Sequence, residues 1–514
     1  MTSASTNIFV DQSSRPRANR RHVAASARAD AQPQSSENVR WHTYSAQAMG
    51  GGVAVAMEEV LRMSEQDFSA GHKADVQLAL LFVTGFSDQD ETLRTSLSLL
   101  RRKYTFVKHV IATVAHGVIG NQGANPVELE AVPSVSLTLA QMEGTEVSTF
   151  SITGPALPDA DASPLEWEKL LRAPLDTNDN VNIVLLASPS FARINDVMAG
   201  LDFAYPEAAK IGGLISGPPQ RGEGTKESPS GWLIVLETWS PPDDVSSAPA
   251  EVSKSNPADA PRNGRVDRQM VWGGCVGLVL KGRVKIEPLI AQGCRPLSGE
   301  TYSVEKAQEG VVFELATTSD KYPKTLRPME ALARDMKAQA PGKTESELQK
   351  MVRNLTIAIA PDDFKAVAEL EPQDFLVRPL MGFDQSSGAM GVGGGVRLGQ
   401  RIRFMVRDRE GAKSDLMEHA LVLKRRQLQA TLEGKAQPPA FGALVFSCNG
   451  RGVGLYGEPN YDTATLASYV PVPLSGIFCN GEIGQVGKST YLHGFTAAVG
   501  ILREDIDREE QNLS

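Results

Sequence analysis

Cysteine is scarce in this chain. Its 514 residues hold four, Cys275, Cys294, Cys448 and Cys479, all in the second half. None stands in a Cys-x-x-Cys frame and no His-x-x-x-His pair accompanies them, so neither a disulfide scaffold nor a zinc site is implied, and the four read as reduced thiols of an intracellular compartment. No segment approaches the ~18 uninterrupted apolar residues of a membrane-spanning helix. A basic excess is missing too. Lys and Arg number 52 against 61 Asp and Glu, a formal net charge of −9, which argues against general binding to nucleic acid or an anionic membrane. What remains is an ordinary globular composition, 41% hydrophobic and 22% charged. The length exceeds what one core organises, so two large domains are expected.

Residues 1–40 are rich in Ser, Ala and Arg, poor in acids, and lack the apolar core of a secretory signal. This is the composition of an organelle transit peptide, with Arg20-Arg21-His22-Val23-Ala24-Ala25 as a processing region. Plastid import is expected, with the mitochondrion or a cytoplasmic tail as alternatives. A first α/β domain is expected over residues 41–238. It holds an apolar strand at 76–83, a helix at 89–103 capped by Asp88, a strand at 107–114 and a helix opened by Ser163-Pro164-Leu165-Glu166. Residues 239–269 collapse to Pro, Ser, Ala, Asp and Lys and read as a loop or linker. A second α/β domain follows over 270–502. It holds a hairpin around Lys281-Gly282-Arg283, a glycine-rich turn or lid at 388–395 and a long helix at 415–432 capped by Ser414. Residues 503–514 form a charged tail. Alternating strands and hairpins give the fold class: α/β, two domains, each a mixed or mainly antiparallel sheet covered by helices.

Chemistry concentrates near the end. An apolar run enters Ser447-Cys448-Asn449-Gly450-Arg451-Gly452, and about thirty residues on a second enters Cys479-Asn480-Gly481-Glu482. Asn-Gly favours a turn, because both residues tolerate positive φ. Two strands that each end in a thiol, an amide and a charge can meet at one rim. Arg451 and Glu482 would then hold the two charged ends of a zwitterion, or pair with each other. The candidate ligand-binding residues are Cys448, Asn449, Arg451, Tyr456, Cys479, Asn480, Glu482 and His493. A thiol or acid–base enzyme using Cys448 or Cys479 with His493 is the alternative, as is a scaffold or adaptor reading a partner through residues 240–269.

Two phosphate-loop patterns fail on their own terms. Gly452-Val453-Gly454-Leu455-Tyr456-Gly457 fits G-x-G-x-x-G, but Pro459 follows at once and no βαβ unit is apparent around it. Gly484-Gln485-Val486-Gly487-Lys488-Ser489-Thr490 has Glu482 where a phosphate loop needs glycine. No cofactor is implied. His116, alone after a strand, reads as structural.

LALLFV (78–83), HVIATVAHGVIG (109–120), AVPSVSLTLA (131–140) and LDFAYPEAAKIGGLISG (201–217) resemble the N-terminal domain of the FIST family. IAQGCRPL (290–297), FSCNGRG (446–452) and GIFCNGEIGQVGKSTYLHGFTA (476–497) resemble its C-terminal domain. The resemblance implies a sensory module for a small ligand, amino acids among the proposals, acting through an unidentified signalling protein partner. The family often has Cys-Ser where this chain has Val114-Ala115-His116. Some members carry an F-box and serve as ubiquitin-ligase adaptors; with about forty residues before Trp41, that role is not carried over.

Overall fold

The computed structural model describes residues 39–68, 75–154, 157–159, 162–175, 180–217, 232–241, 265–361, 365–435 and 439–505. The transit-peptide reading rests on residues 1–38, and the adaptor reading on residues 242–264; both stretches lie outside the described residues.

The first half runs β1 (Val39–Gln47), α1 (Val53–Ser64), β2 (Leu78–Thr84), α2 (Gln89–Lys103), β3 (His109–Ala115), β4 (Gly117–Gln122), β5 (Asn125–Glu130), β6 (Ser134–Met142), β7 (Thr145–Ile152), α3 (Pro164–Leu171), β8 (Asn180–Ala187), α4 (Ile194–Ala204), β9 (Ala209–Ile215) and β10 (Leu233–Ser240). The second half runs β11 (Arg265–Trp272), β12 (Cys275–Gly282), β13 (Val284–Ala291), β14 (Arg295–Pro296), β15 (Tyr302–Gln308), β16 (Val311–Thr317), β17 (Thr325–Leu326), α5 (Pro328–Gln339), α6 (Glu345–Arg353), β18 (Leu355–Ala360), β19 (Leu376–Phe383), β20 (Met390–Val392) and β21 (Arg401–Val406). It ends with α7 (Arg409–Leu432), β22 (Ala440–Cys448), α8 (Gly452–Tyr456), α9 (Tyr461–Tyr469), β23 (Leu474–Val486), β24 (Ser489–His493) and β25 (Ala497–Glu504).

The α/β class with mixed sheets holds. One sheet has the order β1-β6-β2-β3-β10-β11, and a second has β13-β25-β22-β23-β9-β8-β12-β7, with β24 and the β4–β5 hairpin branching from β23. Each buries one face against the other: Trp41, Leu80 and Ile234 of the first share a core with Ile211, Phe446 and Ile477 of the second. Helices α1 and α2 cover the outer face of the first sheet. Helices α3 and α4 cover one stretch of the second, and α7 and α9 another. Strand β2 is therefore buried along its whole length, as an uninterrupted apolar run should be. Helix α2 starts where expected, with Asp88 accepting from the Glu91 N–H at 3.0 Å. The second sheet draws strands from both halves of the chain, β23 pairing with β9 and β4.

Six strands, β21-β15-β16-β20-β19-β18, close into an antiparallel ring through the β18–β21 pairing. Tyr302, Ile357, Met390, Ile402 and Phe404 fill it. The glycine-rich stretch 388–395 belongs to this barrel: β20 lies inside it, and the turn before β20 is tied by Ser386 and Ser387 to the Asp384 carboxylate.

Three local expectations are corrected. Strands β12 and β13 are not a hairpin: β12 pairs with β7 and β8, β13 with β25. The buried Asn182 amide separates them, donating to Leu280 O and Val284 O and accepting from the Ile286 N–H. Helix α7 begins at Arg409, with Asp408 as its cap through the Gly411 N–H at 2.7 Å, because a cap needs no apolar residue beside it. Residues 265–269, grouped by composition with the linker, belong to β11, paired along its length with β10.

Candidate functional site

Strands β22 and β23 are parallel neighbours in which Cys448 and Cys479 face each other in register. The connection between them runs through α8 and α9, so the stretch is a βαβ unit after all; Pro459 lies between the two short helices rather than inside one. The carboxyl end of a strand in such a unit is where open sheets place ligands. Strand β9 ends at the same level, Ile215 opposite Cys479. His116 closes that rim from the first half, its N–H donating to Ser216 Oγ at 3.0 Å and its carbonyl accepting from Thr84 Oγ1 at 2.7 Å.

The two Cys-Asn-Gly sequences do different things. Asn449 and Gly450 form the expected turn, and the Asn449 N–H donates to Cys479 O at 2.9 Å. Asn480 and Gly481 make no turn. They lie within the continuous β23 as a bulge, where three steps along β23 match two along β9. A bulge re-aims side chains: Asn480 is exposed, whereas Glu482 is wholly buried.

Arg451 and Glu482 are brought to one neighbourhood but do not pair. Arg451 is buried, and its fork grips Asp462 in the first turn of α9, Nε to Oδ2 at 2.7 Å and Nη2 to Oδ1 at 2.9 Å. Nη2 also donates to Tyr456 Oη at 2.7 Å, and Nη1 to Phe495 O at 3.3 Å. Tyr456 in turn donates to Asp462 at 2.7 Å. The guanidinium is fully engaged, so Arg451 and Tyr456 organise the loop from within. The expected Arg451 partner, whether a ligand carboxylate or Glu482, is replaced by Asp462.

Glu482 accepts from the Thr496 N–H at 3.0 Å through one carboxyl oxygen, while the other has no hydrogen-bond partner. Burial pushes its carboxyl up to about 8, against the pull of the Thr496 N–H, the Cys448 thiol, Arg451 and Arg407. It is therefore mostly a neutral acid at pH 7. Burial, with the Glu482 carboxyl second, pushes the Cys448 thiol up to about 12, and burial raises Cys479 as well. His493, paired with Glu482 across β23–β24, uses Nε2 on Gly484 O at 3.1 Å, and burial lowers it to about 4. No hydrogen bond joins His493 to either thiol among the described residues, and a thiolate needs a positive neighbour. That leaves the thiol–imidazole enzyme without its dyad. Cys448 is half-buried and Cys275, Cys294 and Cys479 are buried. With maleimide at pH 7 the expected result is slow labelling of Cys448 alone, the other three reacting only in urea; fast labelling of any cysteine at pH 6 would contradict this assignment.

Sequence reading missed Asp462, Arg407, Phe495 and Thr496, and two carboxylates from the first half. The Val453 N–H donates to Glu130 at 2.9 Å and the Thr463 N–H to Glu128 at 2.8 Å. Gly452 has φ +64°, and any β-carbon there would run into the Glu130 carboxylate. The Val453 amide, one of those a G-x-G-x-x-G loop would offer to a phosphate, is thus taken by the chain's own Glu130. Its partner lies 323 positions away, so no local signal could show it. The second phosphate-loop pattern is a two-residue hairpin at Gly487-Lys488 joining β23 to β24. A groove of about 300 Å³, lined by Lys424, Leu428, Val470, Val472 and Arg503, lies between α7 and the segment before β23, away from Cys448.

No helix among the described residues is long and apolar enough to cross a membrane, and no cluster of three or more His, Cys, Asp or Glu there suits a metal ion. The FIST N domain model matches residues 77–233 and the FIST C domain model residues 328–485. An uncharacterized protein of Mycobacterium tuberculosis (strain H37Rv) is 35% identical over 236 residues, covering 46% of this chain and 55% of that protein. One from Mycobacterium bovis is 32% identical over 242 residues, covering 47% of this chain and 56% of its own length. The chain spans about half the length of the curated relatives it matches. With the two domain models in tandem across most of its folded length, the chain belongs to the FIST family, whose domains are sensory, small-ligand-binding modules.

Proposed function

We propose that this chain is a sensory-type module that holds a small polar ligand, amino acids among the candidates, at the carboxyl end of β22. The observation that carries this reading is a set of buried polar atoms without protein partners on neighbouring segments: Asn449 Oδ1, one Glu482 carboxyl oxygen and Arg407 Nε. Buried polar atoms are nearly always hydrogen-bonded, so a group of orphans points to something that completes them. Asn449 offers an acceptor, Arg407 a donor and the neutral Glu482 carboxyl an O–H, the signature of a polar ligand bearing both donor and acceptor groups. Cys448, Asn449 and Asn480 supply the rim it would touch. Arg407, its guanidinium 3.4 Å from the centre of the exposed Phe495 ring, replaces Arg451 as the charged contact. Arg451, Tyr456, Cys479 and His493 serve as the frame. Output through a separate signalling protein is part of the same proposal.

A metabolite screen by melting temperature tests this. A true ligand at one hundred times its Kd adds about 2.7 kcal/mol to stability. Asn449→Ala and Arg407→Gln are expected to abolish that gain while leaving the unliganded melting temperature within about 2 °C. A ligand whose effect survives both substitutions binds elsewhere.

A further inference from the structure

Strand β21 alternates. Ile402, Phe404 and Val406 point into the barrel core, so Arg401, Arg403 and Met405 lie on its outer face. Arg401 and Arg403 sit about 6.6 Å apart along the strand, half-buried, and neither forms an ion pair among the described residues. By contrast, Arg295 and Arg451 in this half are neutralised, by Asp408 at 2.8 Å and Asp462 at 2.7 Å. Two adjacent guanidinium groups repel each other and lose hydration with no carboxylate to offset the cost.

Their surroundings match the needs of an anion. Arg403 lies over the Phe375 ring, 4.3 Å from its centre, and its Nε donates to Thr301 Oγ1 at 2.8 Å. Stacking occupies the flat face of the guanidinium and leaves the Nη edge, the part that forks onto an oxyanion, without a protein acceptor. Arg401 is fixed by Nη1, which donates to Ser303 Oγ at 3.1 Å and to Gly399 O. Its buried Nε has no partner. Across β18, Arg403 and Arg401 pair with Ala358 and Ala360, which are buried beneath Leu370 and Phe375, so the two guanidinium groups have no acid beside them on that side. Burial alone draws Arg403 downward, with no acid opposing it. The acids beside the strand are engaged: Glu300 by Ser319 and Arg334, and Asp408 by Arg295.

We propose that Arg401 and Arg403 form an oxyanion-binding site on the outer wall of the β18–β21 barrel, for a ligand bearing a phosphate or carboxylate group that bridges the two guanidinium groups. This site is separate from the Cys448 rim and stands whether or not that rim binds a ligand.

The test uses the full chain, at constant ionic strength in chloride, with inorganic phosphate, pyrophosphate and succinate titrated in turn while the melting temperature is followed. The expected result is saturable stabilisation by at least one of the three. A response to the phosphates and not to succinate identifies a phosphoryl ligand, and the reverse a carboxylate. Arg401→Gln and Arg403→Gln should each weaken the apparent affinity about tenfold or more, the loss of one charge-assisted hydrogen bond. Arg327→Gln, which removes an exposed arginine paired with Glu330, should change nothing. If Arg403→Gln fails to fold, Arg403→Lys keeps the charge without the fork and should still weaken binding. No saturable shift with any anion in the wild type, or equal shifts in wild type, Arg401→Gln and Arg403→Lys, would overturn the site.

Discussion

Replacing Arg451 with alanine is expected to lower folding stability by about 3–5 kcal/mol, the usual consequence of stripping one partner from a buried ion pair. The side chain is 1% exposed, and so is that of Asp462. Removing the guanidinium leaves the Asp462 carboxylate buried with only the hydroxyls of Tyr456 and Ser447. It also frees Phe495 O, which Arg451 holds at 3.3 Å. The site loop and the start of β25 should loosen together, so ligand binding would be lost as a consequence of unfolding rather than of a missing contact. A double replacement, Arg451→Met with Asp462→Leu, should recover much of the loss, because it leaves no charge unpaired. Urea denaturation measures all three chains. A loss below about 1 kcal/mol for Arg451→Ala would mean that the pair is solvated and free to meet a ligand.

Glu482→Gln is expected to stabilise the chain above pH 8 by a few kcal/mol and to leave it almost unchanged at pH 5. The folded carboxyl titrates near 8, against 4.5 for its ordinary value. As pH rises between these values, the unfolded chain releases this proton while the folded chain keeps it. The unfolded state then binds fewer protons, so stability falls with rising pH through that window. Glutamine cannot ionise and removes that slope. Glu128, pushed up to about 7 by burial and by Asp462, contributes a slope of the same sign in both chains and cancels in the difference. Urea midpoints at pH 5 and pH 8.5 decide it; an equal effect of the substitution at both would show that Glu482 ionises in the folded protein as freely as in water.

Much of the architecture was legible because its signals are local. The apolar run 78–83, the Asp88 cap and the Ser163-Pro164 start depend on near neighbours, and each appears close to where the residues indicate. The meeting of the two Cys-Asn-Gly stretches was also legible, since Cys448 and Cys479 pair in register. What a linear reading could not reach were contacts set by the assembled sheets. Asn-Gly is equally compatible with a turn and with a bulge, and at Asn480 the pairing of β23 with β9 selects the bulge. Arg451 finds Asp462 only because α9 packs back on the strand that Arg451 follows. Glu128 and Glu130 arrive from a hairpin more than three hundred positions away. The β12–β13 hairpin failed for a similar reason: one buried amide, Asn182, wedges the strands apart.

Protection of Cys448 from alkylation is the most direct measurement of where a ligand sits. Cys448 is the half-buried thiol at the end of β22, while the other three are buried. For any metabolite that raises the melting temperature, the maleimide labelling rate of Cys448 in the folded chain should fall in proportion to the fraction bound. A metabolite that stabilises the chain at saturation yet leaves that rate unchanged would place binding away from the Cys448–Asn449 rim.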